Sequence, residues 1–149
     1  MSKFTRPFTI LMADDDAEDC QLVQDALKEA CQEHHLRFVR DGEELLDYLH
    51  RRGEYDHRES RLPDLILLDL KMPKKGGREV IGELKSDPRW KRIPIVALTT
   101  SMARDDVVAC YELGVNSYLT KPATFRDLVD AMRALSKYWF ELVELPRAD

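Results

Sequence analysis

The stretch Leu62–Pro73 constrains the fold more than any other part of this 149-residue sequence. Within it, the uninterrupted apolar run Leu65–Leu68 leads directly into Asp69, and Pro73 ends the segment. A short apolar run between turn-forming residues predicts a strand that is buried on both faces, as in parallel sheets. Asp69 would then lie at the carboxyl end of that strand, where open α/β sheets place their ligands. We therefore expect Asp69 to be a nucleophile or a metal ligand.

Composition restricts the class of protein. Hydrophobic residues make up 44% of the chain and charged residues 34%, which is typical of a single globular domain. A net charge of −5 argues against sequence-independent nucleic-acid binding. No apolar run approaches the length of about 20 residues that spans a bilayer, and the amino terminus lacks the apolar core of a signal peptide. Three widely spaced cysteines, Cys20, Cys31 and Cys110, favour reduced thiols in a cytoplasmic protein.

Short apolar strands alternate with amphipathic helices along the chain. The predicted strands are residues 8–13, 36–39, 65–68, 94–98 and 116–119. Each strand is followed by apolar residues at three- and four-residue spacing, which predicts a helix. The charged stretch Arg51–Arg61 predicts a long exposed loop. Strand–helix alternation predicts a doubly wound α/β domain with a parallel sheet and helices on both faces.

Polar side chains follow four of the predicted strands. They are Asp14, Asp15 and Asp16 after the first strand, Asp69 after the third, Thr99 and Thr100 after the fourth, and Lys121 after the fifth. Parallel strands end at one edge, and carboxylates gathered there repel one another unless a cation joins them. Mg²⁺ fits best, while Lys121 and Thr99 offer a phosphoryl group a positive charge and a hydrogen-bond donor. The sequence therefore predicts a magnesium-assisted phosphoryl acceptor with Asp69 as nucleophile.

Each of these residues has a simpler explanation when it is taken alone. An Asp after a strand is commonly a turn former or a helix cap, and an acidic cluster can complement a helix dipole. Thr99 alone predicts a cap, and Lys121 alone predicts a solvated charge. Their occurrence together at four strand ends favours the chemical interpretation.

Four motifs resemble one known family. They are Met12–Asp16, Leu67–Pro73, Leu98–Ser101 and Tyr118–Pro122. Over residues 8–136 the chain resembles the receiver domain of two-component response regulators. The resemblance implies a flavodoxin-like (βα)5 fold with strand order 2-1-3-4-5 and an extended C-terminal helix. Residues 1–149 would form a single receiver domain, with a core of about 8–136 and residues 137–149 as a C-terminal extension.

The resemblance also implies a set of roles for the site. Asp69 would accept the phosphoryl group from a phosphohistidine of a partner histidine kinase. Mg²⁺, or Mn²⁺ or Ca²⁺ in its place, would be bound by Asp15 directly, by Asp14 largely through water, by Asp69 and by the Lys71 backbone carbonyl. The chain would be a signalling protein with, at most, slow self-phosphorylation and autodephosphorylation.

Three residues near the fourth and fifth strand ends take further implied roles. Thr99 would hydrogen-bond the phosphoryl oxygen, and Lys121 would pair with it. The Lys121–Pro122 bond would be a cis peptide. Tyr118 occupies the position at which receivers carry an aromatic side chain that changes rotamer on activation, so that Thr99 and Tyr118 would form the switch.

Two features resemble small regulators that are paired with phytochrome-type histidine kinases. These are the charged loop at residues 51–61 and the aromatic tail at residues 138–146. Because the chain ends at Asp149 with no DNA-binding or catalytic domain after the receiver, we expect output through protein contacts, without direct DNA or membrane binding.

The last predicted helix carries an apolar seam. We expect a homodimer through this helix and the adjoining strand, with the aromatic extension exposed on a monomer. The predicted interface residues are Phe125, Leu128, Met132, Leu135, Trp139, Phe140 and Val143. The alternative is an extension that folds back on its own domain.

Two other functions compete with the receiver interpretation. Phosphohydrolases with an Asp nucleophile generally need a second acid two residues later, and Lys71 occupies that position. A binding module with a vestigial acid site would typically lack one of the site residues, whereas this chain has the complete set.

Overall fold

The structure is a computed structural model of the chain and describes residues 7–30, 34–56 and 62–146. The strands are β1 (Thr9–Ala13), β2 (His35–Val39), β3 (Leu65–Leu68), β4 (Ile95–Thr99) and β5 (Ser117–Thr120). They form one parallel sheet in the order β2-β1-β3-β4-β5. The doubly wound sheet predicted from strand–helix alternation is confirmed, and so is the strand order that the resemblance implied.

Five helices connect and follow these strands. They are α1 (Ala17–Ala30), α2 (Gly42–His50), α3 (Gly77–Ser86), α4 (Arg104–Leu113) and α5 (Phe125–Ser136). Side chains of Asp16, Asp41 and Thr124 accept backbone N–H groups at the starts of α1, α2 and α5. Gly114, in the left-handed conformation at φ 110°, ends α4. Across the described ranges, none of the helices combines the length and the apolar character needed to cross a membrane.

The central strands separate two apolar cores. Ile10 and Met12 of β1 pack with residues of α1 and α5 on one face of the sheet. Leu11 and Ala13 pack with residues of α2, α3 and α4 on the other face. Every residue of β1, β3 and β4 is buried, as expected for strands covered by helices on both sides. These buried strands provide a rigid support for the residues that follow their carboxyl ends.

The C-terminal extension folds onto its own domain. After α5 the chain forms a π-helical turn at Lys137–Leu142, within which Phe140 is only 1% exposed. The Phe140 ring stacks on Phe8 at a centroid distance of 4.3 Å and lies 4.5 Å from the His34 ring. The prediction that the aromatic extension is left exposed on a monomer is therefore wrong for Phe140. A π-helical turn has more residues than an α-helical turn, so the seam extrapolated at α-helical spacing does not give its side-chain directions.

The loop after α2 is less exposed than its charge predicted. It contains a short 3₁₀ helix at Gly53–Tyr55, and Tyr55 is buried. The Tyr55 hydroxyl donates to Glu44 at 2.6 Å, and its ring lies 5.2 Å from the ring of Tyr48. The prediction of an exposed loop is wrong at Tyr55 because an aromatic ring in a charged stretch still favours an apolar neighbour. Residues 57–61 of that loop lie outside the described residues.

Candidate functional site

The register of β1 and β3 brings two carboxylates together. Ala13 pairs with Leu68, and the Asp69 N–H donates to the Ala13 carbonyl at 2.9 Å. Asp14 and Asp69 therefore follow neighbouring strand ends, and their side chains are both buried. The sheet itself fixes the position of these two acids.

Three carboxylates converge at this edge, as the sequence predicted. Ligand oxygens of Asp14, Asp15 and Asp69 lie within 4.8 Å of one another, with Asp15 exposed and the other two buried. Burial raises the pKa of the Asp14 carboxyl, although hydrogen bonds from Lys121 and from the Asp16 N–H offset part of that rise. Three oxygen donors so close together fit a hard divalent ion, because such an ion removes their mutual repulsion.

Lys121 reaches the same carboxylates from the end of β5. Its Nζ lies 2.7 Å from Asp14 Oδ2, 2.7 Å from Asp19 Oδ2 and 3.5 Å from Asp69 Oδ2. Burial acts to lower the pKa of Lys121, but hydrogen bonds to Asp14 and Asp19 outweigh it, and the pKa is raised. The ammonium is therefore firmly charged. One ammonium among four acids, including Asp15, leaves an excess of negative charge that a divalent ion would balance.

Sequence reasoning missed Asp19 as a member of the site. It lies in the first turn of α1, where an acid is ordinarily explained by the helix dipole. The available signal was its position three residues after Asp16, on a helical turn that begins at the same sheet edge.

Thr99 and Tyr118 are joined through the loop that follows β4. Thr99 is fully buried, and its hydroxyl oxygen accepts the Ser101 N–H at 3.4 Å. The Tyr118 hydroxyl donates to the Ser101 carbonyl at 2.8 Å, and the Lys121 N–H donates to the Thr99 carbonyl at 2.7 Å. The structure therefore connects the three residues to which the resemblance assigned hydroxyl, aromatic and ammonium roles.

The predicted cis peptide between Lys121 and Pro122 is wrong. None of the described peptide bonds is cis, so this bond is trans. The trans isomer is the intrinsically preferred state of an X–Pro bond, by about 0.5–1 kcal/mol.

The loop between β3 and α3 packs tightly beneath Asp69. The Lys71 N–H is directed at Asp69 Oδ1 at 3.5 Å, while the Lys71 side chain is exposed. A Cβ atom on Gly77 would lie 2.6 Å from the Asp69 carbonyl oxygen and 2.7 Å from Leu70 Cα. Because both neighbours are backbone atoms, only glycine allows this close approach.

The residues predicted for a subunit interface fall into two groups. The prediction is wrong for the four that are buried in the chain's own core with residues of α1 and the sheet, because an α5 face that covers its own sheet is not available to a second subunit: Leu128, Met132, Leu135 and Phe140. The other three are exposed or half-buried: Phe125, Trp139 and Val143.

The fold and the site define a class of protein. A parallel sheet of this order, with three acids, a buried threonine and a lysine at its carboxyl edge, is typical of a phosphoryl-accepting receiver. Residues 10–133 match the model of the family described as "Response regulator receiver domain". The chain belongs to this family, and as a receiver it accepts a phosphoryl group in two-component signalling.

Individual relatives span nearly the whole chain. Response regulator Rcp1 of Synechocystis sp. is 47% identical over 142 residues, which is 95% of each chain. The solved Mn(2+)-bound form of Rcp1 matches with a TM-score of 0.85, covering 95% of this chain and 100% of that one. The phosphorylated cyanobacterial phytochrome response regulator RcpA matches at 0.87, with 44% identity and coverages of 95% and 99%. RPA3017, from red light signaling of R. palustris, matches at 0.89, with 36% identity and coverages of 95% and 99%.

Proposed function

We propose that Asp69 is the phosphoryl acceptor of this receiver. A carboxylate oxygen of Asp69 forms a bond to phosphorus while the bond from phosphorus to the imidazole nitrogen of a phosphohistidine breaks. The observation that supports this assignment is the convergence of Asp14, Asp15 and Lys121 on Asp69. Asp14 is held more closely by Lys121, at 2.7 Å against 3.5 Å for Asp69, and Asp15 is exposed, which leaves Asp69 as the buried acid with the weaker existing contact.

The remaining site residues would hold the cofactor and the transferred group. Asp14, Asp15, Asp69 and the Lys71 carbonyl would bind Mg²⁺, or Mn²⁺ or Ca²⁺ in its place. A bound divalent ion neutralises negative charge on the transferring phosphoryl oxygens. Lys121 would turn from Asp19 toward the phosphoryl oxygens, and Thr99 would donate its hydroxyl proton to one of them.

The signal would leave through the surface formed by α4, β5 and α5. Phosphorylation of Asp69 would draw Thr99 toward the phosphoryl group and favour one rotamer of Tyr118, and these changes would shift the conformation of the loop after β4. This surface carries apolar side chains that a partner protein could cover, because Val108, Tyr111 and Phe125 are 43%, 50% and 40% exposed. Apart from slow self-phosphorylation and autodephosphorylation, the chain would have no enzymatic activity.

The partner that supplies the phosphoryl group would be a histidine kinase of the phytochrome type. This proposal is supported by the names of RcpA as a phytochrome response regulator and of RPA3017 as a protein of red light signaling. We place the chain in the cytoplasm and propose that it binds neither DNA nor a membrane directly. Mixing it with a phosphorylated phytochrome kinase should transfer label to this chain within one turnover, and an unrelated phosphorylated histidine kinase should transfer far less. Equal transfer from both would contradict the phytochrome assignment.

The chain would also form a homodimer through α5, β5 and the tail. With Phe140 buried in its own domain, the surface left for a second copy consists of exposed and half-buried side chains. They are Phe125, Tyr138, Trp139, Leu142 and Val143. Sedimentation should show a dimer for the wild type and a monomer when Tyr138 and Leu142 are both replaced by Ser. Leu22→Ser, a change at an exposed leucine on α1, is the control and should remain dimeric; a monomeric wild type would contradict the proposal.

The acceptor assignment is tested by intact mass after incubation with acetyl phosphate and Mg²⁺. We expect one phosphoryl adduct on the wild type, and none with Asp69→Asn or with EDTA added. An adduct of equal yield on Asp69→Asn would refute the assignment. An adduct that persists in EDTA would refute the role of the divalent ion.

A further inference from the structure

Ser101 is the centre of a hydrogen-bond cluster beside the site. Its N–H donates to Thr99 Oγ1 at 3.4 Å, and its carbonyl accepts the Tyr118 hydroxyl at 2.8 Å. Its own hydroxyl donates to Asp106 Oδ2 at 2.5 Å and accepts the Ala103 N–H at 3.3 Å. Every polar group of Ser101 is therefore engaged, so its position depends on these four partners.

Asp106 is the only charged group among those partners. It lies in the first turn of α4, and its other oxygen is 3.4 Å from Arg78 Nη1 on α3. A hydroxyl that donates to a carboxylate makes a stronger bond than one that donates to a neutral acceptor. Asp106 therefore ties Ser101 to two helices at once.

The Thr99 hydroxyl acts as a hydrogen-bond acceptor. Its oxygen accepts the Ser101 N–H, and the side chain is fully buried. Among the residues that the structure describes, this hydroxyl takes part in hydrogen bonding only as an acceptor, although a buried donor ordinarily has an acceptor of its own. That proton is consequently available for an oxygen of a phosphoryl group on Asp69.

We propose that Asp106 is a positioning residue for the phosphoryl site. It holds the Ser101 hydroxyl so that the Ser101 N–H occupies the acceptor side of Thr99 and leaves the Thr99 proton for the phosphoryl oxygen. This role rests on the proposed function of Asp69 and Thr99, and it adds a residue that touches neither the phosphoryl group nor the metal ligands.

The competing explanation is that Asp106 only places a negative charge at the start of α4. Asp105 provides a matched control, because it lies in the same helical turn, is exposed and carries the same charge. Removing a negative charge near an anion site favours the anion. A variant of Asp106 that binds an anion more weakly therefore cannot owe that loss to the change in charge.

The test uses beryllofluoride as the phosphoryl analogue. The affinity for beryllofluoride is measured in saturating Mg²⁺ for the wild type and for Asp106→Ala, Asp106→Asn and Asp105→Asn. The affinity for Mg²⁺ is measured separately, without beryllofluoride. We expect Asp106→Ala to weaken beryllofluoride binding about three- to tenfold, which is less than the full effect of a charge-assisted hydrogen bond because Asp106 acts on the site only through Ser101. Asp106→Asn should keep most of the affinity, because its amide oxygen can accept the same Ser101 hydroxyl. Mg²⁺ affinity in Asp106→Ala should remain close to the wild-type value, and amide exchange at Ser101 should be faster.

Each other outcome has a defined meaning. Unchanged or tighter beryllofluoride binding by Asp106→Ala, with the fold intact by circular dichroism, overturns the proposal. An equal loss of beryllofluoride affinity in Asp105→Asn and Asp106→Ala also overturns it. A loss of affinity in Asp106→Asn as large as that in Asp106→Ala does the same. A wild type that binds no beryllofluoride overturns the proposed function of Asp69 itself.

Discussion

Replacing Phe140 with alanine tests how the C-terminal extension is held. Phe140 is 1% exposed and stacks on Phe8 with 4.3 Å between ring centroids, so the substitution would empty a nearly complete aromatic site. Truncations of this kind cost about 3–5 kcal/mol, out of a total stability of about 5–15 kcal/mol for a natural domain. For a chain of this length, that loss corresponds to a fall in Tm of about 6–20 °C. The same truncation at a side chain exposed on the monomer would lower the stability far less.

Urea unfolding followed by circular dichroism measures this loss directly. Leu142→Ala, at a residue of the same turn that is 62% exposed, is the control and should change stability in dilute solution by less than about 0.5 kcal/mol. The loss caused by Phe140→Ala should not depend on protein concentration, because the contact is made within one chain. Equal stabilities for the two variants would refute the packing of Phe140. A loss that appears only at high protein concentration would instead place the ring between subunits.

Three further outcomes are expected. Gly77→Ala should lower both the stability and the rate of phosphorylation by acetyl phosphate, because the added Cβ would lie 2.6 Å from a backbone oxygen. Gly76→Ala is the control: its Cβ would make only an ordinary contact at 3.7 Å, so both the stability and the rate should stay unchanged. Asp19→Asn should weaken Mg²⁺ binding about two- to fivefold in a calorimetric titration at low salt. The substitution removes a negative charge from the carboxyl edge of the sheet, and the Lys121 ammonium then pairs only with the carboxylates that would bind the metal. An unchanged Mg²⁺ affinity would contradict this reasoning. Cys20 should not react with a thiol reagent at pH 8 in the folded chain, since burial raises the pKa of its thiol to about 12. Modification of Cys20 at the rate of a free thiol would show that this side chain is not buried.

Much of the site could be predicted from the sequence because strand ends can be read from apolar runs. Asp69 directly follows the run Leu65–Leu68, and Asp14 directly follows the first predicted strand. Parallel pairing then requires the two acids to meet, and the register of β1 and β3 places them side by side. The positions of Thr99 and Lys121 follow in the same way from the ends of β4 and β5.

What could not be predicted depends on side-chain direction and local helical geometry. Asp19 joins the site because its side chain is directed from the first turn of α1 toward Lys121, and helix-dipole reasoning gives no such direction. Asp106 is similar, since its contact with Ser101 crosses a loop whose path the sequence does not specify. Phe140 was misplaced because the chain changes from α-helical to π-helical winding after Ser136.

The assignment of Asp69 as the phosphoryl acceptor is tested by the chemical identity of the modified residue. Borohydride reduces an aspartyl phosphate to homoserine, so the phosphorylated chain can be reduced, digested and sequenced by mass spectrometry. We expect homoserine at Asp69 and unmodified aspartate at Asp14 and Asp15. Homoserine at either of those residues, or a phosphoryl group that resists borohydride on a histidine or serine, would contradict it.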